Sequence, residues 1–286
     1  MKIKSYKPYM LSNAKLGVTR SGDSYGILTL VDENGSIPLN VWGMKSIPEV
    51  PCMVYAWNIK DNRGMLSCSL SSFEVLIDEV PDELMELCPQ VVSRSDWNSM
   101  RDAIADMIVD SGLCSVWVEA CDKLYQPYSE HIGGRTMHHT NKGGLLNHTY
   151  DILNMFVGLK PRLAFDVNPF IFAMGALFHD YYKMSEYDCN NSVTPQITLI
   201  GHPAGSYEAV GAFLRSKGLD TRMVMFVQHC VLSHHGKLEY GSPVLPCNQE
   251  AMLLSKLDEV SASGEAMSRT ASGQKCKDVV VYHYED

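Results

Sequence analysis

Nine consecutive residues without a polar side chain, Phe170 to Phe178, run directly into His179-Asp180. A bilayer-spanning helix needs about 20 apolar residues, so this run is too short to cross a membrane and predicts a helix inside a protein core. Its polar terminus is the constraint. A carboxylate on such a helix is costly to bury unless it is paired or coordinates a metal. Adjacent helical side chains also diverge by about 100°, so both reach one ion only if that ion sits close to the helix and takes further ligands from neighbouring helices.

The rest of the chain offers such ligands. Nine of the ten histidines lie between positions 131 and 235. His148 falls in Gly143-Gly144-Leu145-Leu146-Asn147-His148-Thr149, at the opening of a predicted helix, and Asp258 is one of the few polar groups of Leu253-Leu254-Ser255-Lys256-Leu257-Asp258. Gly201-His202 precedes a helix, and Ser233-His234-His235-Gly236 ends one. Mixed imidazole and carboxylate donors suit manganese, iron, cobalt or zinc rather than calcium or pure magnesium chemistry.

Two regimes of hydrophobic period divide the chain. Over 10–78 the pattern is that of strands and turns: Tyr25 to Val31, the turn Asp32-Glu33-Asn34-Gly35, Ser36 to Trp42, Met53 to Ile59, the turn Asp61-Asn62-Arg63-Gly64, Met65 to Leu70, and Phe73 to Ile77. Five short strands with Gly-containing turns predict a small barrel. Pro81 marks the change. From Asp82 onward Trp97, Met100, Ile104 and Ile108 recur at helical spacing, a Gly- and His-rich loop spans 131–144, and helices are expected near 144–158, 168–184, 203–217, 220–235 and 248–262. The final stretch is Ser/Gly-rich, then β-like at Val279 to Tyr282.

Charge and cysteine usage exclude several classes. The net charge of −9 argues against a protein that coats nucleic acid through bulk electrostatics. Residues 1–78 carry eight Lys/Arg against seven Asp/Glu, while the remainder is strongly acidic, so a nucleic-acid grip would be local and amino-terminal. The nine cysteines form no CxxC pair, which speaks against a thiolate zinc knot and for free thiols in a reducing, cytoplasmic setting. Nothing resembling a secretory h-region follows Met1-Lys2-Ile3-Lys4.

The order His148, His179-Asp180, Asp258 resembles the HD superfamily of metal phosphohydrolases over about residues 138–262. That resemblance implies an all-α HD domain in which these four residues hold metal. The extra histidines are similar to the dinuclear subgroup, which implies two divalent transition-metal ions, with Asp180 bridging and His202 and His234 holding the second. Adjacent histidines seldom both face one ion, so His235 is expected in a supporting or substrate-contacting place. In this family a lysine at the position of Lys183 is associated with phosphate contact, so Asp180 and Lys183 are the implied catalytic pair.

Three further segments are similar to the YhaM-type 3′→5′ exoribonucleases: Leu28-Thr29-Leu30-Val31-Asp32-Glu33-Asn34-Gly35-Ser36-Ile37, His138-His139-Thr140-Asn141-Lys142-Gly143-Gly144-Leu145, and Leu232-Ser233-His234-His235-Gly236-Lys237-Leu238-Glu239-Tyr240-Gly241-Ser242-Pro243. The implied fold class is multidomain β plus α, an N-terminal OB-like β-barrel followed by an all-α HD domain. The domain boundaries expected are 1–80 for the barrel, 81–137 for a helical connector, 138–264 for the HD domain and 265–286 for a tail. The implied activity is metal-dependent 3′→5′ hydrolysis of single-stranded RNA or DNA, with small or cyclic nucleotides as the alternative substrates. Tyr25, Trp42, Lys45 and Arg63, with Tyr55 and Trp57 beside them, are the expected strand-binding groups, and His138 and His139 are expected near the substrate. Related enzymes often form multimers, which implies a homo-oligomer.

Overall fold

The computed structural model describes residues 8–32, 35–62, 65–76, 80–81, 91–134, 139, 142–187, 193–268, 270, 272, 275–276 and 279–284. It divides into two compact units, residues 1–90 with 187–194 and residues 91–186 with 195–286.

The first unit is a seven-stranded sheet. Its strands are β1 (Tyr9–Val18), β2 (Ser24–Asp32), β3 (Gly35–Trp42), β4 (Cys52–Ala56), β5 (Lys60–Asn62), β6 (Met65–Ser69) and β7 (Phe73–Val75), in the order β5-β6-β3-β2-β1-β4-β7. β3 and β6 run parallel, and the other ladders are antiparallel. Alternation along β2 buries Gly26, Leu28 and Leu30 and turns Tyr25, Ile27 and Thr29 outward. The inner face packs Leu11, Ala14, Leu28, Leu30, Leu39, Val41 and Val54 into one cluster.

Two expectations are corrected. The interior strand β1 escapes the alternation test because a register irregularity between Leu11 and Asn13 breaks its period. No ladder joins β5 to β7 among the described residues, so by its hydrogen bonding the sheet is open rather than the expected closed barrel.

The second unit is helical: α1 (Arg94–Met107), α2 (Cys114–Glu130), α3 (Gly144–Leu159), α4 (Pro169–Phe178), α5 (Lys183–Glu186), α6 (Pro195–Leu199), α7 (His202–Ser216), α8 (Thr221–Ser233) and α9 (Gln249–Ser268), followed by a small ribbon of β8 (Lys275–Cys276) and β9 (Val279–Val280). Every residue of α4 from Phe170 to Phe178 is buried. Asn168 caps it by accepting from the amides of Phe170 and Ile171, and Pro169 takes the first helical position, where its missing N–H is not needed. Around it pack Trp97, Trp117, Leu146, Phe156, Val231 and Leu254, each contributing roughly 1.5–3 kcal/mol of burial, with Phe172 stacked on Phe156 at 4.0 Å between centroids. None of the helices among the described residues is long and apolar enough to cross a membrane.

The expected helix over 168–184 breaks after Phe178, and the reason lies in its terminal carbonyls. His179 Nδ1 donates to Ala176 O at 2.7 Å, Tyr128 Oη donates to Leu177 O at 2.7 Å, and Tyr181 N–H donates to Phe178 O at 3.1 Å. The ring of His179 thereby engages the carbonyl that a continuing helix would give to the amide of Asp180. His179 and Asp180 therefore stand on a turn at the end of a buried helix rather than on its side.

Candidate metal centre

Six side chains from five places in the helical unit converge at this turn. His148 comes from the first turns of α3, His179 and Asp180 from the end of α4, His202 from the start of α7, His234 from the end of α8, and Asp258 from the middle of α9. His148, His179, Asp180 and His234 are buried.

The donor atoms form two groups that share Asp180. On one side His148 Nε2 lies 3.0 Å from Asp258 Oδ1 and 3.2 Å from His179 Nε2, while Asp180 Oδ2 lies 3.2 Å from His179 Nε2 and 3.6 Å from His148 Nε2. On the other side Asp180 Oδ1 faces His202 Nε2 at 3.4 Å and His234 Nε2 at 3.7 Å, and His235 Nε2 is 3.1 Å from His202 Nε2. Ligands held at about 2.1 Å from a common ion stand roughly 3.0–3.4 Å apart, and the separations in the two groups, 3.0–3.7 Å, match or slightly exceed that spacing. The ligating atoms of His148, His179 and Asp180, and those of His202, His234 and His235, each fall within 4.8 Å of one another.

The tautomers follow from the outer hydrogen bonds. His179 Nδ1 faces Ala176 O, and His234 Nδ1 faces Val231 O at 2.6 Å; a carbonyl only accepts, so both Nδ1 atoms donate. His202 Nδ1 lies 3.3 Å from the buried carboxylate of Glu186, which also accepts from the His202 amide at 2.6 Å. Three Nε2 lone pairs are thus aimed at one another and at Asp180. Asp180 Oδ1 and His234 Nε2 are buried without a hydrogen-bond partner among the described residues. Such a surplus of electron pairs in a largely buried site is what a cation satisfies, and the donor set fits divalent transition metals.

Electrostatics point the same way. Burial alone would raise Asp180, but Lys183, His179 and His202 outweigh it and hold its carboxyl well below the usual range. Asp258 is likewise lowered against its burial, by the hydrogen bond from His148 and the surrounding imidazoles. Burial, reinforced by His235 and His179, pushes His234 well below the usual imidazole range, and burial with His202 lowers His235. His179 is the exception: burial opposes its charge, yet Asp180 and Asp258 raise it.

Several sequence expectations land differently. His235 joins the second group directly, because the chain leaves α8 at His234 and the two rings turn inward together, their centroids 4.2 Å apart. Lys183 donates to Asp180 Oδ2 at 2.7 Å and to Gly133 O at 2.6 Å, so its ammonium serves the carboxylate. His139 is buried on the Nδ1 side of His148, where Ser261 Oγ lies 3.2 Å from His139 Nε2 and 3.0 Å from His148 Nδ1. The Gly-rich stretch serves close approach, since a Cβ on Gly144 would stand 2.0 Å from His139 O. His138 and Arg63 lie outside the described residues.

Sequence reasoning missed Glu186 and Ser261. Ser261 carried a signal, one turn beyond Asp258 on the same helix face; Glu186 carried none. On the sheet, Tyr25 and Trp42 are cross-strand partners with centroids 4.8 Å apart, and Tyr55 and Trp57 pair at 5.8 Å. Trp42 is 42% exposed, Tyr25, Tyr55 and Trp57 are half-buried, and Lys45 is exposed.

A helical unit with His and His-Asp at helix ends and a late Asp defines a class, and comparison with known proteins bears on it directly. Residues 145–263 match the HD domain family. That match takes in all of the converging side chains, and the likeness is to metal-dependent hydrolases of the HD type. Beyond that domain it is similar to proteins named 3′-5′ exoribonuclease YhaM: 26% identical to that of Bacillus pumilus (strain SAFR-032) over 91% of this chain and 85% of that protein. The corresponding protein of Bacillus subtilis (strain 168) is 24% identical over 91% and 85%, and that of Listeria welshimeri 25% over 93% and 87%. No solved structure matches.

Proposed function

We propose that this protein is a metal-dependent 3′→5′ exonuclease of single-stranded RNA. The observation that carries the reading is Asp180, whose two carboxylate oxygens each face a separate group of imidazoles. In this reading His148, His179, Asp180 and Asp258 hold one divalent ion, and Asp180, His202, His234 and His235 hold a second. Divalent ions held there would supply Lewis acidity towards a phosphoryl oxygen and a lowered pKa for water. The chain's part is positional. Asp180 stays ionised beside Lys183, the Nδ1 donors fix the Nε2 lone pairs, and the rings of His148, His179 and His234 are held buried.

The sheet suits a strand-binding, OB-like module. β4 leads through Trp57 and Ile59 into β5, so one stretch pairs with β1 at one end and with β6 at the other. Tyr25 and Trp42 on the outward face are of the kind on which bases stack irrespective of sequence. The seven described cysteines are free thiols, which fits the cytoplasm.

The test is cleavage of a single-stranded oligoribonucleotide labelled at one end or the other, with manganese or cobalt supplied. Early release of the 3′ label as mononucleotide, a ladder from the 5′ label, and loss of both with Asp180→Ala are expected. Intact oligomer alongside rapid hydrolysis of a free nucleotide would establish the small-nucleotide reading instead, which the acidic balance of the helical part favours.

A further inference from the structure

The segment Gly236-Lys237-Leu238-Glu239-Tyr240-Gly241-Ser242-Pro243, which follows the histidine pair, plays no part in the metal centre. It is nevertheless tightly built. Gly236 has φ 75°, and a Cβ there would stand 2.4 Å from Ser255 Oγ. Residues Leu238–Tyr240 form a single 3-10 turn closed by Gly241 at φ 85°. The amides of Tyr240 and Ser242 both donate to Lys237 O, at 3.1 and 3.2 Å, and the buried Ser242 hydroxyl donates to Val244 O at 2.7 Å. The turn abuts the metal cluster, since a Cβ on Gly241 would lie 3.9 Å from His235 Nδ1.

What this rigid turn presents is polar and aromatic surface. The Tyr240 side chain is 61% exposed, with Lys237 Nζ 4.9 Å from its ring centroid. Both residues line a cleft of about 910 Å³ that is also lined by His234, His235, Asp258, Met267 and Val279. That volume lies at the upper end of small-ligand sites. Lys256 in the same cleft is paired with Glu259 at 3.1 Å, whereas no carboxylate among the described residues pairs with Lys237. An aromatic face and an available cation, held on a pinned turn beside a metal centre, match the two chemistries of a nucleotide, base and phosphate.

We propose that this turn is the nucleotide-recognition element of the site, with Tyr240 stacking on the terminal base of a single strand and Lys237 facing a backbone phosphate. The assignment rests on the nuclease reading above and gives it a sequence-tolerant grip, because every base offers a π-face.

The test uses the full metal-loaded chain, with Tyr240→Ala, Tyr240→Phe and Lys237→Ala. Two oligoribonucleotides are compared, one of them ending in a 3′-terminal abasic residue. Tyr240→Ala should raise KM for the ordinary strand about ten-fold or more, with Tyr240→Phe restoring it, and should leave KM for the abasic strand at the wild-type value. Lys237→Ala should weaken binding of both strands and flatten its salt dependence. Equal effects of Tyr240→Ala on the two strands, or none on either, overturn the proposal. If wild-type protein cleaves no oligomer, the exonuclease reading fails separately. The same contrast is then read with a nucleoside monophosphate against ribose 5-phosphate, where only a base-dependent loss supports the turn and any other result overturns it.

Discussion

At the scale of single residues, the centre is organised by groups that never need to touch an ion. Glu186 fixes His202 through both its amide and its Nδ1, and outer partners of this kind typically govern metal affinity by 10–100-fold. Glu186→Gln should lower affinity at the second group by roughly that factor, read by competition with a chromogenic chelator; unchanged affinity would show that His202 is oriented by something else. Protonation gives a second check. In metal-free protein His234 and His235 titrate below their unfolded value of about 6.5, so the stability they favour is full above that pH and is lost as pH falls. Asp180 and Asp258 act in the same sense at lower pH. His179 is raised, so its contribution is full below about 6.5 and fades only as pH rises. The urea midpoint of chelator-treated protein should therefore fall between pH 7 and pH 5; a rise would reverse the assignment of the His234 and His235 imidazoles as held neutral.

At the scale of elements, helix ends do the positioning. α4 and α8 stop by the same device, an imidazole Nδ1–H given to the carbonyl three residues back, which turns Nε2 of His179 and His234 into the site. The two helices also pack closely, since a Cβ on Gly175 would stand 2.7 Å from Cys230 Cβ. Gly175→Ala should destabilise the fold by about 1–3 kcal/mol in urea titration, as overpacking does, and a neutral result would mean that the interface yields. On the sheet, Trp42→Ala should weaken binding of a single strand by about 1–3 kcal/mol in fluorescence anisotropy, without altering hydrolysis of the small diester bis(p-nitrophenyl) phosphate. Legibility differed between these elements for physical reasons. β2 announces itself as a β-rich run, β3 by the alternation of Ile37, Leu39 and Val41, and α1 by Trp97, Met100 and Ile104, all buried. β1 did not, because its irregular register scrambles the period, and the stop after Phe178 did not, because the bonds that end the helix come from a side chain and from α2.

At the scale of the whole molecule, the helical unit has a core of its own around α4, so metal is expected to stabilise rather than create it. Chelation should lower the melting temperature while far-UV circular dichroism retains its helical signal; complete loss of helix would make the ions structural. The residues that meet in the site were largely visible in the chain, as types in a telling order: His148, His179-Asp180, His202, His234 and Asp258. Their order limits the chemistry available, because imidazoles and carboxylates set among apolar helices are costly to bury unless paired or bound to a cation. Convergence was decided elsewhere. Partners as far apart as His148 and Ser261, 113 positions distant, meet only because packing against α4 sets where each helix ends. The same packing brought His235 inward, set Lys183 on Asp180 and chose Glu186 as the partner of His202. Hydrophobic period is a local property of a few neighbouring residues, whereas the direction of a side chain at a helix terminus depends on carbonyls and cavities supplied by the rest of the fold.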